Sequence, residues 1–347
     1  MVDSKMPIKP RNAKKTYLFI GIGAAVAFSV IAIIFVVVLF TGKGNVNKEE
    51  EKYIPKTPFE SYIYSKKALY VWDYYNGQNF IQFLTDHNFS KIYFYIGCLG
   101  GDYENLINQE FVNTGDSYPK ELIKKIIEKK IEVDLLIYLN DDPNDFANIE
   151  NMPNIAKALG ELQKTLKFNA LHFYIVPENE KNYEALLKMY EDCRKYIKVS
   201  AILRQEWLNV TMTELESNFT SSDYYKKFKD CDTYADAIMT VTDSTDLLVN
   251  SNTYDGVDSI LKQYDAIRER HPSNIAKPIL KLDPAKTNEG LILRYNDDKD
   301  KFFNYFVNVS KRYDGATINQ YLDWYQDLYC ERPHRFFSYY FGTPKDC

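Results

Sequence analysis

Carboxylates and aromatic rings recur at matching places in this chain, each set just after a short apolar run rich in Val, Ile, Tyr and Phe. Asp73 follows the first run, Asp102 and Glu104 the second, Asp141 and Asp142 the third, and Glu178 and Glu180 the fourth. Glu206, Asp243, Asp283 and Asp323 follow the remaining four. All three tryptophans, Trp72, Trp207 and Trp324, fall at these same ends, with Tyr74, Tyr75 and Tyr325 beside them. Aromatic rings stack on the apolar faces of sugars, and carboxylates bind hydroxyls or work in pairs on a glycosidic bond, so the pattern points to carbohydrate chemistry. Asp73, Trp72, Trp207, Asp243 and Trp324 are the candidate ligand-binding residues. Glu178 is the candidate acid/base, with Glu206 or Asp283 as its partner. The plainer alternative is that loops of an acidic protein are acidic and that tryptophans at strand ends only close a core.

These residues need elements to hold them. The apolar runs are Ala68–Asp73, Lys91–Cys98, Ile131–Leu139, Ala170–Val176, Lys198–Leu203, Ala235–Val241, Pro278–Leu282 and Ala316–Tyr321. Stripes at helical spacing lie between them: Leu122, Ile123, Ile126 and Ile127; Leu186, Leu187, Tyr190 and Cys193; Val257, Ile260, Leu261, Tyr264 and Ile267; and Phe302, Phe303, Phe306 and Val307. Strand followed by helix, repeated eight times over roughly 250–280 residues, predicts a (β/α)8 TIM-type barrel with its site at the C-terminal strand ends. A doubly wound open sheet is the alternative, but Asp73-Tyr-Tyr-Asn-Gly77 lacks the glycine spacing of a phosphate-binding turn.

Leu171-His-Phe-Tyr-Ile-Val-Pro177 is similar in rhythm to the strand-four motif of glycoside-hydrolase-like barrels, including the chitinase-like group. In that group alternate residues are acidic and a catalytic Glu ends the strand. Ile238-Met-Thr-Val-Thr-Asp243 loosely resembles the group's strand six, and Gly315-Ala-Thr-Ile-Asn-Gln320 its closing strand. The resemblance implies a glycoside-hydrolase-like barrel, but the chain departs from the motif where chemistry is done. Asn169, His172, Tyr174 and Val176 occupy the acidic positions, and Val176, standing where the catalytic Glu belongs, cannot protonate a leaving group. Either a neighbour such as Glu178 substitutes, or the barrel only binds, to glycan or to protein.

Tyr17 to Phe40 form 24 residues without a charge, preceded by Lys5, Lys9, Arg11, Lys14 and Lys15. At about 1.5 Å per residue such a helix slightly exceeds a hydrocarbon core of about 30 Å, so a tilted transmembrane span is expected, with membrane lipid as its partner. Basic residues on the N-terminal side predict a cytosolic tail and a lumenal or extracellular domain. A cleaved signal peptide would have a shorter apolar core and a small-residue cleavage site. The expected organisation is a basic tail over residues 1–16, a span over 17–40, a polar stalk over 41–66 and the barrel over 67–347. Tyr62 and Tyr64 leave open an N-terminal arm packed on the domain.

Four sequons, at Asn88, Asn209, Asn218 and Asn308, suit a glycosylating compartment. The five cysteines suggest up to two disulfides there, Cys330 with Cys347 and Cys193 with Cys231, the alternative being free thiols throughout. The whole chain carries a net charge of -5. With five basic residues and Asp3, the tail is +4, which leaves -9 for everything after it and argues against nucleic-acid binding. His87, His172, His271 and His334 are scattered, with no zinc-type spacing, and no cofactor or metal is expected.

Overall fold

The computed structural model describes residues 56–71, 77–99, 111, 115, 117–139, 149–175, 177, 179–280 and 298–318. The described residues all belong to one unit, Pro55–Cys347. Residues 17–40 therefore lie outside the described part. Among the described residues, no helix is long and apolar enough to cross a membrane.

Eight strands form a closed barrel in sequence order. They are β1 (Lys67–Val71), β2 (Phe89–Leu99), β3 (Glu132–Leu139), β4 (Ala170–Ile175), β5 (Val199–Arg204), β6 (Ser244–Val249), β7 (Ile275–Leu280) and β8 (Ala316–Ile318). Every neighbouring pair is parallel, and β1 closes on β8 through Leu69 opposite Ile318. The helices of seven residues or more among the described residues are α1 (Pro58–Tyr64), α2 (Gly77–Asp86), α3 (Tyr118–Glu128), α4 (Met152–Leu166), α5 (Tyr183–Arg194), α6 (Tyr234–Val241), α7 (Tyr254–Arg268) and α8 (Lys299–Arg312). Local chemistry starts them: the Thr253 hydroxyl accepts the Gly256 N–H of α7, and the Asp298 carboxylate accepts the Lys301 N–H of α8.

The apolar stripes pack inward between strands and helices, with Ile123, Leu186, Leu187, Leu261 and Phe306 fully buried. A second, smaller cluster fills the barrel interior: Ala68 and Tyr70 from β1, Tyr93 from β2, Leu136 from β3, Ile202 from β5 and Ile279 from β7. Ala68 and Tyr70 reach it from alternate positions of β1, as the two-residue period requires.

Three sequence expectations change. Ala235–Val241 is not strand six but lies in α6, capped by the Thr233 hydroxyl accepting the Asp236 N–H; the sixth strand is Ser244–Val249. The likeness of Ile238–Asp243 to a barrel's sixth strand falls with it. Part of the segment assigned to a stalk is α1, a helix with a reciprocal Thr57–Glu60 capping box. Its Tyr62 is buried with ring centroids 5.2 Å from both Phe303 and Phe306 of α8. Finally, Cys193 and Cys231 are both free. Cys193 points into the core from the inner face of α5, while Cys231 sits 3.6 Å from the Thr240 hydroxyl. Cys330 and Cys347 lie outside the described residues.

Candidate functional site

The interior of the barrel divides into a polar N-terminal half and an aromatic opening. His172, on β4, is fully buried, its Nε2 2.7 Å from Tyr70 Oη and its Nδ1 2.7 Å from Ser200 Oγ. Burial, then the nearby Lys91 charge, depress its pKa well below the ordinary value, so the imidazole is neutral and one ring nitrogen donates while the other accepts. Lys91 pairs with Asp134 at 2.5 Å, the lysine buried and the aspartate wholly out of contact with water. Burial opposes the Lys91 charge, but Asp134, Asp246 and Glu132 together hold its pKa above that of an ordinary lysine. Asp246, beside the Tyr93 phenol, has its carboxyl pKa raised to about 6 by burial, against the pull of Lys91 and Lys277. The buried Tyr70, Leu136, Ile202 and Ile279 lie between these groups and the mouth, so they do not meet a ligand there.

Above that seal, the C-terminal ends of β3, β4, β5 and β6 enclose a cleft of about 290 Å³ lined by Tyr138, Leu139, Tyr174, Arg204, Gln205, Glu206, Leu248 and Asn250. The rings of Tyr138 and Tyr174 lie 5.9 Å apart, tilted by 44°. Arg204 Nε donates to Glu206 Oε2 at 3.1 Å, and Gln205 Oε1 accepts the Asn250 N–H at 2.8 Å, tying the β5 end to the β6 end. The cleft thus offers two aromatic rings, a guanidinium, a carboxylate and amides, a set able to hold a hydroxylated ring. Among the described residues, no cluster of three His, Cys, Asp or Glu side chains could hold a metal ion.

Of the carboxylates singled out in the sequence, Glu206 lines this cleft, with its side chain 54% exposed. Glu178, Asp283, Asp73, Trp72 and Trp324 lie outside the described residues. Two candidates are elsewhere. Trp207 is buried to 1% exposure; the turn Gln205–Leu208 carries it back into the core, where its Nε1 donates to Tyr183 Oη at 3.0 Å and its ring meets Tyr234 edge-on. It presents no face to a sugar. Asp243 precedes β6 instead of following a strand, so it stands at the opposite end from the mouth. Its Oδ2 accepts the Val199 N–H at 2.8 Å, and its Oδ1 meets Arg194 at 2.9 Å.

The sequon asparagines Asn88, Asn209 and Asn308 are exposed, whereas Asn218 is half-buried with its Nδ2 donating to Glu180. Sequence reasoning missed Tyr138, Arg204, Gln205 and Asn250, and named Tyr174 only as a departure from a motif. The available signal was the two-residue alternation: Leu136 and Tyr138, His172 and Tyr174, and Ile202 and Arg204 share an inward face.

No protein-family model matches the chain, and no curated protein matches it in sequence. Among solved structures, a putative α-L-fucosidase from Bacteroides thetaiotaomicron VPI-5482 is 10% identical with a TM-score of 0.50, covering 85% of this chain and 97% of its own. A GH18 chitinase from Pseudoalteromonas aurantia is 12% identical with a TM-score of 0.45, over 74% of this chain and 94% of its own. A chitinase from Bacteroides thetaiotaomicron is also 12% identical, with a TM-score of 0.46, over 73% and 89%. The neighbours thus include glycoside-hydrolase barrels, and what the chain shares with them is the closed eight-stranded parallel fold.

Proposed function

We propose that this chain is a membrane-anchored barrel that binds carbohydrate at its C-terminal mouth, facing the lumen or the cell exterior, with weak or absent hydrolysis. The observation that carries the reading is the cleft, where Tyr138 and Tyr174 stand beside the Arg204–Glu206 pair. The rings supply surface for an apolar sugar face, and the paired charges supply donors and acceptors for hydroxyls. The apolar run 17–40 behind its basic tail supports the anchor, and the exposed Asn209 sequon is consistent with a glycosylated side.

Hydrolysis by two carboxylates requires them about 5–9.5 Å apart across the scissile bond. On the cleft wall only Glu206 is such a group among the described residues, and Arg204 holds it. The inward positions of β4 are His172 and Tyr174, followed in sequence by Val176. An active glycosidase using Glu178 with Glu206 or Asp283 is the second reading, favoured by the exposed place of Glu206 at the mouth.

The full chain, purified in detergent, should be applied to a glycan array and to chitin-like and other common glycosides. Binding without turnover is the expected result. Robust hydrolysis abolished by Glu178→Gln makes the enzyme reading correct, and a blank array leaves the domain as a protein-interaction module.

A further inference from the structure

Three lysines turn toward the barrel or its lower end, and two are fully engaged. Lys67 Nζ donates to the carbonyls of Tyr62, Ile63 and Ser65 at the end of α1, and Lys91 is paired with Asp134. The third, Lys277, makes no hydrogen bond or ion pair among the described residues. On β7 it alternates with the buried Ile279, so it faces the interior one step nearer the N-terminal end, opposite Asp246 of β6 in register.

Two features bear on its amine. Ile279, Tyr70, Leu136 and Ile202 are buried on the mouth side of it, while Lys277 itself is only partly buried. Gly315, with φ +135° in the region that favours glycine, stands just before β8, and a Cβ there would come within 3.3 Å of Lys277 Nζ. Glycine leaves that flank of the amine clear. The charged groups around it are Lys91 of β2, Asp246 of β6, Glu132 of β3 and Asp314 beside Gly315. Burial, then Lys91, lower the Lys277 pKa against the opposing pull of Asp246, Glu132 and Asp314. The lowered value raises the fraction of neutral, nucleophilic amine.

We propose that Lys277 is a reactive amine that condenses with a small aldehyde or ketone admitted from the N-terminal end of the barrel, a site separate from the mouth. The Nζ lone pair forms the new C–N bond while the carbonyl oxygen takes up a proton, giving a carbinolamine. That oxygen then leaves as water with the two amine hydrogens, and the product is the imine; no oxidant or reductant is consumed. Asp246, whose carboxyl is poised near neutrality, is the neighbouring group able to lend and recover the proton.

The test is reductive alkylation of the full chain with propionaldehyde and cyanoborohydride at pH 7, read residue by residue by peptide mass spectrometry. Lys277 should be modified faster than the exposed Lys130 and Lys311, since a lowered pKa raises the neutral fraction of its amine at pH 7. Lys277→Arg should remove the fast phase and leave the slow one. Modification of Lys277 at or below the rate of the exposed lysines, which its partial burial alone would produce, overturns the proposal. A fast phase that maps to another residue does the same.

Discussion

Tyr70 Oη and His172 Nε2 meet at 2.7 Å inside the barrel, where neither side chain touches water. The bond joins β1 to β4 across the interior, and the other imidazole nitrogen continues it to Ser200 of β5. A buried acceptor or donor stripped of its partner costs about 1–3 kcal/mol. Tyr70→Phe, which removes the hydroxyl and keeps the ring, should lower stability by about that amount in urea unfolding with the fold retained. A change within error would mean that water replaces the phenol and that this contact is not what orders the interior.

Asp246 supplies a pH dependence with a defined sign. Its pKa rises from 3.8 to about 6 on folding because burial disfavours the carboxylate. A raised acid binds its proton more tightly in the folded state. Its contribution to stability is therefore fully present below about pH 4 and is lost as the pH climbs through about 6. Asp246→Asn should be more stable than the parent at pH 7 by on the order of 2–3 kcal/mol and nearly equal to it below pH 4. The quantity to follow is the difference between the two unfolding free energies from pH 3.5 to 7.5, since the other carboxylates cancel in it. A flat difference would show that Asp246 is not titrating in this window.

What the sequence disclosed followed from how each segment is solvated. α3, α5, α7 and α8 each bury one face, so Ile123, Leu187, Leu261 and Phe306 announce a helical period. α6 hides everything but Thr240, and a helix buried all round loses that period, so Ala235–Val241 reads as well as a strand. The true β6 begins Ser-Thr-Asp because polar partners meet it on both faces: Asp246 faces Lys91 inside the barrel, and Thr245 bonds Asn274 and the Tyr264 hydroxyl of α7 on the helix side. One misplaced strand sent Asp243 to the wrong end of the barrel. Trp207 failed differently, for its place just after β5 is as expected, but a single 3-10 turn reverses its direction. Arg204 and Tyr138 are not residues that follow a strand: each is the last inward residue of the strand itself, and the cleft wall uses those positions as well.

The two described cysteines should report their free state directly. Iodoacetamide applied to the native chain should alkylate the half-buried Cys231 slowly and spare Cys193, which is buried in the core. Burial also raises the Cys193 pKa and suppresses the thiolate that would react. After denaturation both should react fully without reductant. Recovery of a peptide in which Cys193 and Cys231 are linked would contradict the arrangement.

Trp207 and Asp243 separate structural roles from ligand binding. Trp207→Ala empties a core site beside the stacked Tyr183 and Tyr234 rings and strands the Tyr183 hydroxyl, at an expected cost of about 3–5 kcal/mol. Asp243→Ala leaves the Val199 N–H and Arg194 without their carboxylate at the N-terminal end, at about 1–3 kcal/mol. Neither side chain lines the cleft. Saturating-ligand titrations on the folded fraction of each variant should therefore give the parent's affinity, while Tyr174→Ala, which removes a wall of the cleft, should weaken it. If Trp207→Phe, which keeps most of the core packing, also abolishes glycan binding at unchanged stability, then the indole meets ligand after all and the cleft above Tyr174 is not the binding surface.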